Sequence, residues 1–321
     1  MKLLLAALLL SGAPALAGDS ARQWLDGMSG ALKNLDYDGT FVYQHDNKLE
    51  VMRIIHRADD GGQRERLVSL TGSAREVLRD DRSVTCIMPD NKSVMFGQSR
   101  SARPFPVVPE DLTAISRYYR LEDKGEDQLI GYRARMIAVT PRDEFRYGYR
   151  FWIERDSRML LKSELTAANG DVIEQLMFTK LDIGIDIPAS DLRPSLTGDG
   201  YTWHRQTEIH PAQATSPVAP QWTVARLPAG FKLTDVRHRR LHEEGGEAEH
   251  LVYSDGMATV SVYVEQVLQD TEPFAGPSSM GAVNAYGHVV DGFQVTVVGE
   301  VPPATVKMLA TSVERQAGSD D

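Results

Sequence analysis

The chain has 321 residues, enough for about two domains at roughly 150 residues each. Its composition, 42% hydrophobic and 25% charged, is that of a globular protein, and a formal charge of −10 excludes nucleic acid as the expected partner. Cys86 is the only cysteine, so no intramolecular disulfide can form.

Lys2 precedes an apolar run from Leu3 to Leu10, and Ala15-Leu16-Ala17 follows with the small-x-small pattern of a leader cut after residue 17. The run is too short to span a bilayer. Glycine, not the cysteine of a lipoprotein, follows the expected cut. These features predict an exported, soluble protein.

Asp19 or Ser20 can cap a helix reaching about Leu35, with Trp24, Met28, Ala31, Leu32 and Leu35 on one apolar face. From there to about Asp182 the pattern is mainly β. Strands are predicted at Tyr37–Gln44, Leu49–Arg57, Arg64–Leu70, Arg75–Asp80 and Ser83–Met88, separated by turns such as Asp59-Asp60-Gly61-Gly62. Leu112, Ile115 and Tyr119 predict a helical insert over Glu110–Tyr119. Strands resume at Arg133–Thr140, about Tyr147–Ile153, Leu160–Leu165 and Val172–Leu181, the last two joined by an Asn169-Gly170 turn. In the final strand Val172, Leu176 and Phe178 alternate with Ile173, Met177 and Leu181. Both faces are apolar and need a helix, a second domain or a greasy ligand to cover them.

Residues 19–195 thus form one domain, and the Pro-rich stretch 196–220 reads as a linker or an irregular segment draped on it. A smaller α+β domain is expected over 221–316. Its strands are Gln221–Leu227, Phe231–Leu241, His250–Tyr253, Ala258–Val267, Asn284–Val290 and Phe293–Val298. Its helix opens at Pro302-Pro303 with Val306, Leu309, Ala310 and Val313 on one face. Residues 317–321 should fray.

Motifs for catalysis are missing. There is no Gly-x-Ser-x-Gly, no phosphate-binding glycine loop and no His-Glu-x-x-His; His242-Glu243-Glu244-Gly245-Gly246 lacks the second histidine. His238, His242 and His250 read as a strand running into a charged loop, and Cys86 as a core thiol in Val84–Met88. No enzyme, metal or cofactor is expected. Two basic stretches, Arg142/Arg146/Arg150 and Arg237-His238-Arg239-Arg240, stand out in an acidic chain, either as solvated faces or as contacts for an acidic peptide or a phosphorylated lipid headgroup, Arg146 and Arg150 sharing a strand face.

Several stretches resemble a known family. They are Gly39-Thr40-Phe41-Val42-Tyr43, Arg64-Glu65-Arg66-Leu67 with Arg75-Glu76-Val77, and Thr140-Pro141-Arg142-Asp143 through Arg146-Tyr147-Gly148-Tyr149. Further on come Leu161-Lys162-Ser163, Leu227-Pro228-Ala229-Gly230-Phe231, Tyr253-Ser254-Asp255-Gly256 and Val298-Gly299-Glu300-Val301-Pro302. In this order they resemble the RseB/MucB family of periplasmic sigma-E regulators. The resemblance implies an unclosed half-barrel wrapped on helices, similar to the lipoprotein carriers LolA and LolB, followed by the smaller α+β domain. It implies a periplasmic negative regulator that binds the periplasmic domain of a single-span, RseA/MucA-like anti-sigma factor. Such a regulator shields its partner from the first proteolytic cut, and a lipid or lipopolysaccharide fragment releases it. The output includes exopolysaccharide synthesis in alginate producers. A homodimer stays open. The alternative is a soluble carrier of lipid or lipoprotein acyl chains. Within this frame the two-faced strands offer Phe41, Ile54, Met136, Phe151 and Met177 for a lipid cavity. The second domain offers Arg237, Arg239, Arg240, Thr259, Ser261 and Tyr263 for the anti-sigma contact.

Overall fold

The computed structural model describes residues 20–98, 105–195, 200–205, 219–240, 247–267 and 272–316. The expected leader, 1–17, and tail, 317–321, lie outside the described residues, as does most of the expected linker. Among the described residues no helix is long and apolar enough to cross a membrane.

Helix α1 (Ala21–Asn34) starts at a capping box: Ser20 Oγ accepts the Gln23 N–H at 3.3 Å, and Gln23 Oε1 accepts the Ser20 N–H at 2.6 Å. Its buried face is Trp24, Leu25, Met28 and Ala31. An antiparallel meander follows, made of β1 (Tyr37–His45), β2 (Lys48–Asp59), β3 (Gly62–Ser69), β4 (Glu76–Asp80), β5 (Ser83–Met88) and β6 (Ser93–Gln98). After the short helix α2 (Leu112–Ile115) a second meander runs through β7 (Tyr119–Leu129), β8 (Tyr132–Pro141), β9 (Gly148–Glu154), β10 (Leu160–Thr166) and β11 (Val172–Ile183). β11 closes back on β1, and β12 (Thr202–Arg205), inside the span read as linker, adds to β6 in parallel. The order is β12-β6-β5-β4-β3-β2-β1-β11-β10-β9-β8-β7, and the end strands do not pair with each other. The sheet is an unclosed half-barrel. Its concave face wraps the helices: Trp24, Leu25, Met28, Leu112 and Ile115 share one core with Phe41, Ile54, Phe151 and Phe178.

Two local expectations change. The insert predicted over Glu110–Tyr119 is a single turn, capped by Asp111, and Tyr119 already belongs to β7. β7 went unseen because it is an edge strand of charged residues broken at Gly125, without apolar alternation. In β11 the register against β1 shifts, so that Thr40 faces Lys180 but Phe41 faces Phe178. Thr179 is the extra residue, and its hydroxyl donates to the Thr40 carbonyl at 3.1 Å. The bulge returns Leu181 to the core beside Leu176 and Phe178, where strict alternation places it with Met177.

The second domain comprises β13 (Trp222–Val224), β14 (Lys232–Arg240), β15 (Glu247–Ser254), β16 (Thr259–Gln266), β17 (Gly276–Met280), β18 (Val283–Val290), β19 (Phe293–Gly299), α3 (Pro303–Ala310) and β20 (Val313–Arg315). Six strands form an antiparallel sheet in the order β14-β15-β16-β19-β18-β17, and β13 pairs with β20. Val306, Leu309 and Ala310 of α3 cover the side bearing Leu251, Val260, Val262, Val295 and Val297. Val313, expected on the helix, starts β20 instead.

Candidate functional site

Four of the pieces that carry the resemblance, Thr140–Tyr149, Leu227–Phe231, Tyr253–Gly256 and Val298–Pro302, meet at the seam between the domains. Arg146 lies in the turn before β9 and has no exposed side-chain surface. Its Nη1 donates to Asp255 Oδ2 at 2.6 Å, its Nη2 to the Ala229 carbonyl at 2.7 Å and its Nε to Asp143 Oδ1 at 3.0 Å. The Tyr118, Tyr119 and Phe231 rings surround the guanidinium at 5.1, 5.4 and 5.3 Å. The Tyr119 hydroxyl donates to the same Asp255 oxygen at 3.0 Å, and burial and that carboxylate push the phenol pKa far up. Asp255 Oδ1 accepts the Met257 and Ala258 N–H groups, turning the β15–β16 hairpin toward the first domain. Gly230 has φ +94° and packs on Tyr118, where a Cβ would stand 2.4 Å from the ring.

A second set of contacts completes the seam. Asn284 Nδ2 donates to Tyr147 Oη at 3.0 Å and to the Val301 carbonyl at 2.8 Å. Thr305 donates to the Phe145 carbonyl at 2.7 Å. Glu174 accepts the Ala282 N–H at 3.2 Å through one oxygen and the Tyr43 hydroxyl at 2.5 Å through the other. Tyr147 and Leu165 bury Ala282. Glu300 is crowded by chain but its residue still reaches solvent; the crowding and the nearby Glu174 push its carboxyl up to about 7. The polar groups here are engaged with one another. These contacts join the two domains at the seam. Among the described residues no three His, Cys, Asp or Glu side chains gather as a metal would need.

The model of the MucB/RseB N-terminal domain matches residues 20–196, and that of the C-terminal domain matches 216–314. This chain belongs to the MucB/RseB family. It is 33% identical to the sigma factor AlgU regulatory protein MucB of Pseudomonas aeruginosa, over 97% of this chain and 96% of the relative. It is 27% identical to the sigma-E factor regulatory protein RseB of Haemophilus influenzae, over 96% and 95%. These relatives are named as regulatory proteins, not as enzymes. Among solved structures, a complex of P. aeruginosa MucA and MucB matches with TM-score 0.73 and 31% identity, covering 93% of this chain and 99% of that one. MucB in complex with MucA(peri) matches at 0.71 and 29%, over 93% and 100%, and MucB in a crystal structure of its own at 0.63 and 29%, over 92% and 98%.

In this MucB/RseB chain the five residues read as a lipid cavity divide between two faces. Phe41, Ile54 and Phe151 are fully buried on the concave side; Phe41 packs edge-on against Phe178 at 5.6 Å. α1 fills the space they would have lined. Met136 and Met177 lie on one cross-strand row with Trp152 and Lys162, on the opposite face, so the five do not surround one space. Another row does run along the concave face: Ile54, Leu67, Val77, Cys86 and Met95 face one another across β2 to β6. Its exposure grows outward, from buried Ile54 to Met95 at 44%. Burial pushes the Cys86 thiol up, which keeps it protonated.

The residues read as an anti-sigma contact fare differently. Arg237, Thr259, Ser261 and Tyr263 share the face of the second sheet opposite α3. Tyr263 stacks on His250 at 4.2 Å, and Ser261 Oγ lies 3.0 Å from His250 Nε2. Arg237 is neutralised by Asp235 two residues back, Nε to Oδ2 2.6 Å. For Arg239 and Arg240 only strand positions are described, opposite Ala248 and Glu247. The basic stretch of the first domain is not a surface patch. Arg146 is in the joint and precedes β9, so it shares no strand face with Arg150, which pairs with Glu164 at 2.9 Å. Reading missed Asp255 and Ala229, whose roles depend on contacts more than 80 residues away in sequence.

Proposed function

We propose that this chain is a periplasmic negative regulator of a sigma-E type envelope-stress response. It binds the periplasmic domain of a single-span, RseA/MucA-like anti-sigma factor and shields it from site-1 proteolysis; a lipid or lipopolysaccharide-type signal makes it let go. It acts by binding and has no catalytic step. The observation that carries the reading is the likeness to MucB in complex with MucA(peri), which at 93% coverage takes in both domains. The seam fits this reading: Arg146 with Asp255 and Tyr147 with Asn284 tie the two domains together. The contact is assigned to the sheet face bearing Arg237, Thr259, Ser261 and Tyr263, with Arg239 and Arg240 on the edge strand β14.

The row from Leu67 to Met95 supports the lipid arm, because it offers apolar surface on the concave side that α1 does not cover. Release by lipid then follows as linkage: a lipid that favours a state with poorer affinity for the peptide must itself be displaced by the peptide. The same row favours the second reading, a soluble lipid carrier.

The test combines affinity with protection. Residues 18–321 are mixed with the periplasmic domain of an anti-sigma factor from the same organism, and binding is measured by calorimetry. Cleavage of the anti-sigma factor by its site-1 protease is then followed with and without this protein. Binding at about 1 μM or tighter together with slowed cleavage is the expected result. Absence of binding shifts the assignment to the carrier, which lipid co-purifying with the protein would identify.

A further inference from the structure

A pocket of about 410 Å³ opens where the β7–β8 hairpin passes the first turn of α1. Arg133, Arg135 and Arg155 stand on its wall against two carboxylates, Glu126 and Asp127. Both carboxylates are engaged. Glu126 and Asp123 bracket Arg135 at 3.7 and 2.7 Å. Asp127 accepts the Trp152 indole N–H at 2.8 Å and the Gln128 backbone N–H at 2.7 Å. Arg133 and Arg155 remain exposed, with no ion pair among the described residues. The Arg155 N–H donates to the Arg133 carbonyl at 2.9 Å, which holds the two arginines at one lip. Below them Trp24 lies buried, with the Arg158 guanidinium 3.6 Å above its ring. Gly27 makes room for that arm, since a Cβ there would stand 2.9 Å from Arg158 Cγ.

We propose that this pocket binds a phosphate group, carried by a lipid headgroup or by a soluble phosphate ester. Two guanidinium forks free of carboxylates suit the tetrahedral oxygens of a phosphate, each fork giving paired hydrogen bonds. The volume falls in the roughly 300–1,000 Å³ range of small-molecule sites, so the group bearing the phosphate also has room. In a chain of net charge −10 this is a local cationic site, and the surrounding field disfavours general polyanion binding. The site is remote in sequence from the contact assigned to the anti-sigma factor and is tested without that partner, so the two readings can fail separately.

The experiment uses glycerol 3-phosphate in calorimetry. It then uses flotation with phosphatidylcholine vesicles with and without phosphatidic acid. The wild-type protein should bind glycerol 3-phosphate saturably. The double variant Arg133→Gln/Arg155→Gln should lose about tenfold or more with an unchanged melting temperature, since both side chains are exposed. Flotation only with phosphatidic acid assigns the site to a lipid headgroup. Glycerol 3-phosphate binding without flotation assigns it to soluble esters. If the wild type takes up neither ligand, or the double variant binds like the wild type, the proposal is overturned.

Discussion

Two arginine-rich stretches look alike in the sequence and end in opposite environments. Arg146 is wholly buried, its donors spent on Asp255, Asp143 and the Ala229 carbonyl. Arg237 lies on an edge strand with 41% of its side chain exposed and is paired with its strand neighbour Asp235. The first spans the two domains; the second closes a local loop of charge. The same side chain is therefore a buried tie between domains in one place and half of a surface ion pair in the other. What separates them is whether a distant segment supplies a carboxylate and a carbonyl in a dry site. A buried pair is costly to break because the remaining charge has no water, whereas an exposed pair has water on both sides.

The sharpest way to break this comparison is Arg146→Ala. It strands the Asp255 carboxylate and should cost about 3–5 kcal/mol in chemical denaturation; a loss under about 1 kcal/mol would class the joint with surface pairs. Gly230→Ala comes next. The left-handed backbone and the Tyr118 ring both oppose a Cβ, and about 1–3 kcal/mol should be lost. A tighter readout is proteolysis in the 219–221 stretch, which should accelerate if the domains part. Arg237→Ala should change stability by less than about 1 kcal/mol. In the proposed complex it should flatten the salt dependence of anti-sigma binding, and affinity unchanged across salt would remove the residue from the contact. The smallest effect is expected at Glu300. Its carboxyl is pushed up to about 7, so the protonated form is favoured in the folded seam. That contribution is complete below the ordinary carboxylate range and is lost as pH rises through 7. Glu300→Gln, which stays neutral, should therefore lose less melting temperature between pH 5 and pH 8 than the wild type does. Parallel curves would mean that Glu300 feels no seam.

Most of the strands were legible because their residues repeat with a period of two and are punctuated by turns. Ser83–Met88 coincides with β5, and Asp291-Gly292 turns β18 into β19 with both residues at positive φ. β7 was not legible, since an edge strand with charges on both sides carries no period. The bulge at Thr179 was hidden for another reason: alternation assumes a regular register, and one inserted residue reverses it for Leu181. The candidate site was less legible than the fold. Phe41, Ile54 and Phe151 are apolar and inward whether a lipid or a helix fills the space, and α1 fills it. The sequence pattern of a lined cavity and of a packed core is the same.

By itself the sequence determined the local periods, a helix cap at Asp19 or Ser20, the turns and the succession of a large β domain and a smaller α+β domain. Those depend on neighbours a few residues apart, whose geometry the backbone dictates. Only the tertiary structure decided that β11 returns to β1 while the end strands β7 and β12 do not pair with each other, that Arg146 meets Asp255, and that Arg133 and Arg155 share one pocket lip. These outcomes turn on which distant groups exclude water together, and burial of that kind is a property of the assembled fold.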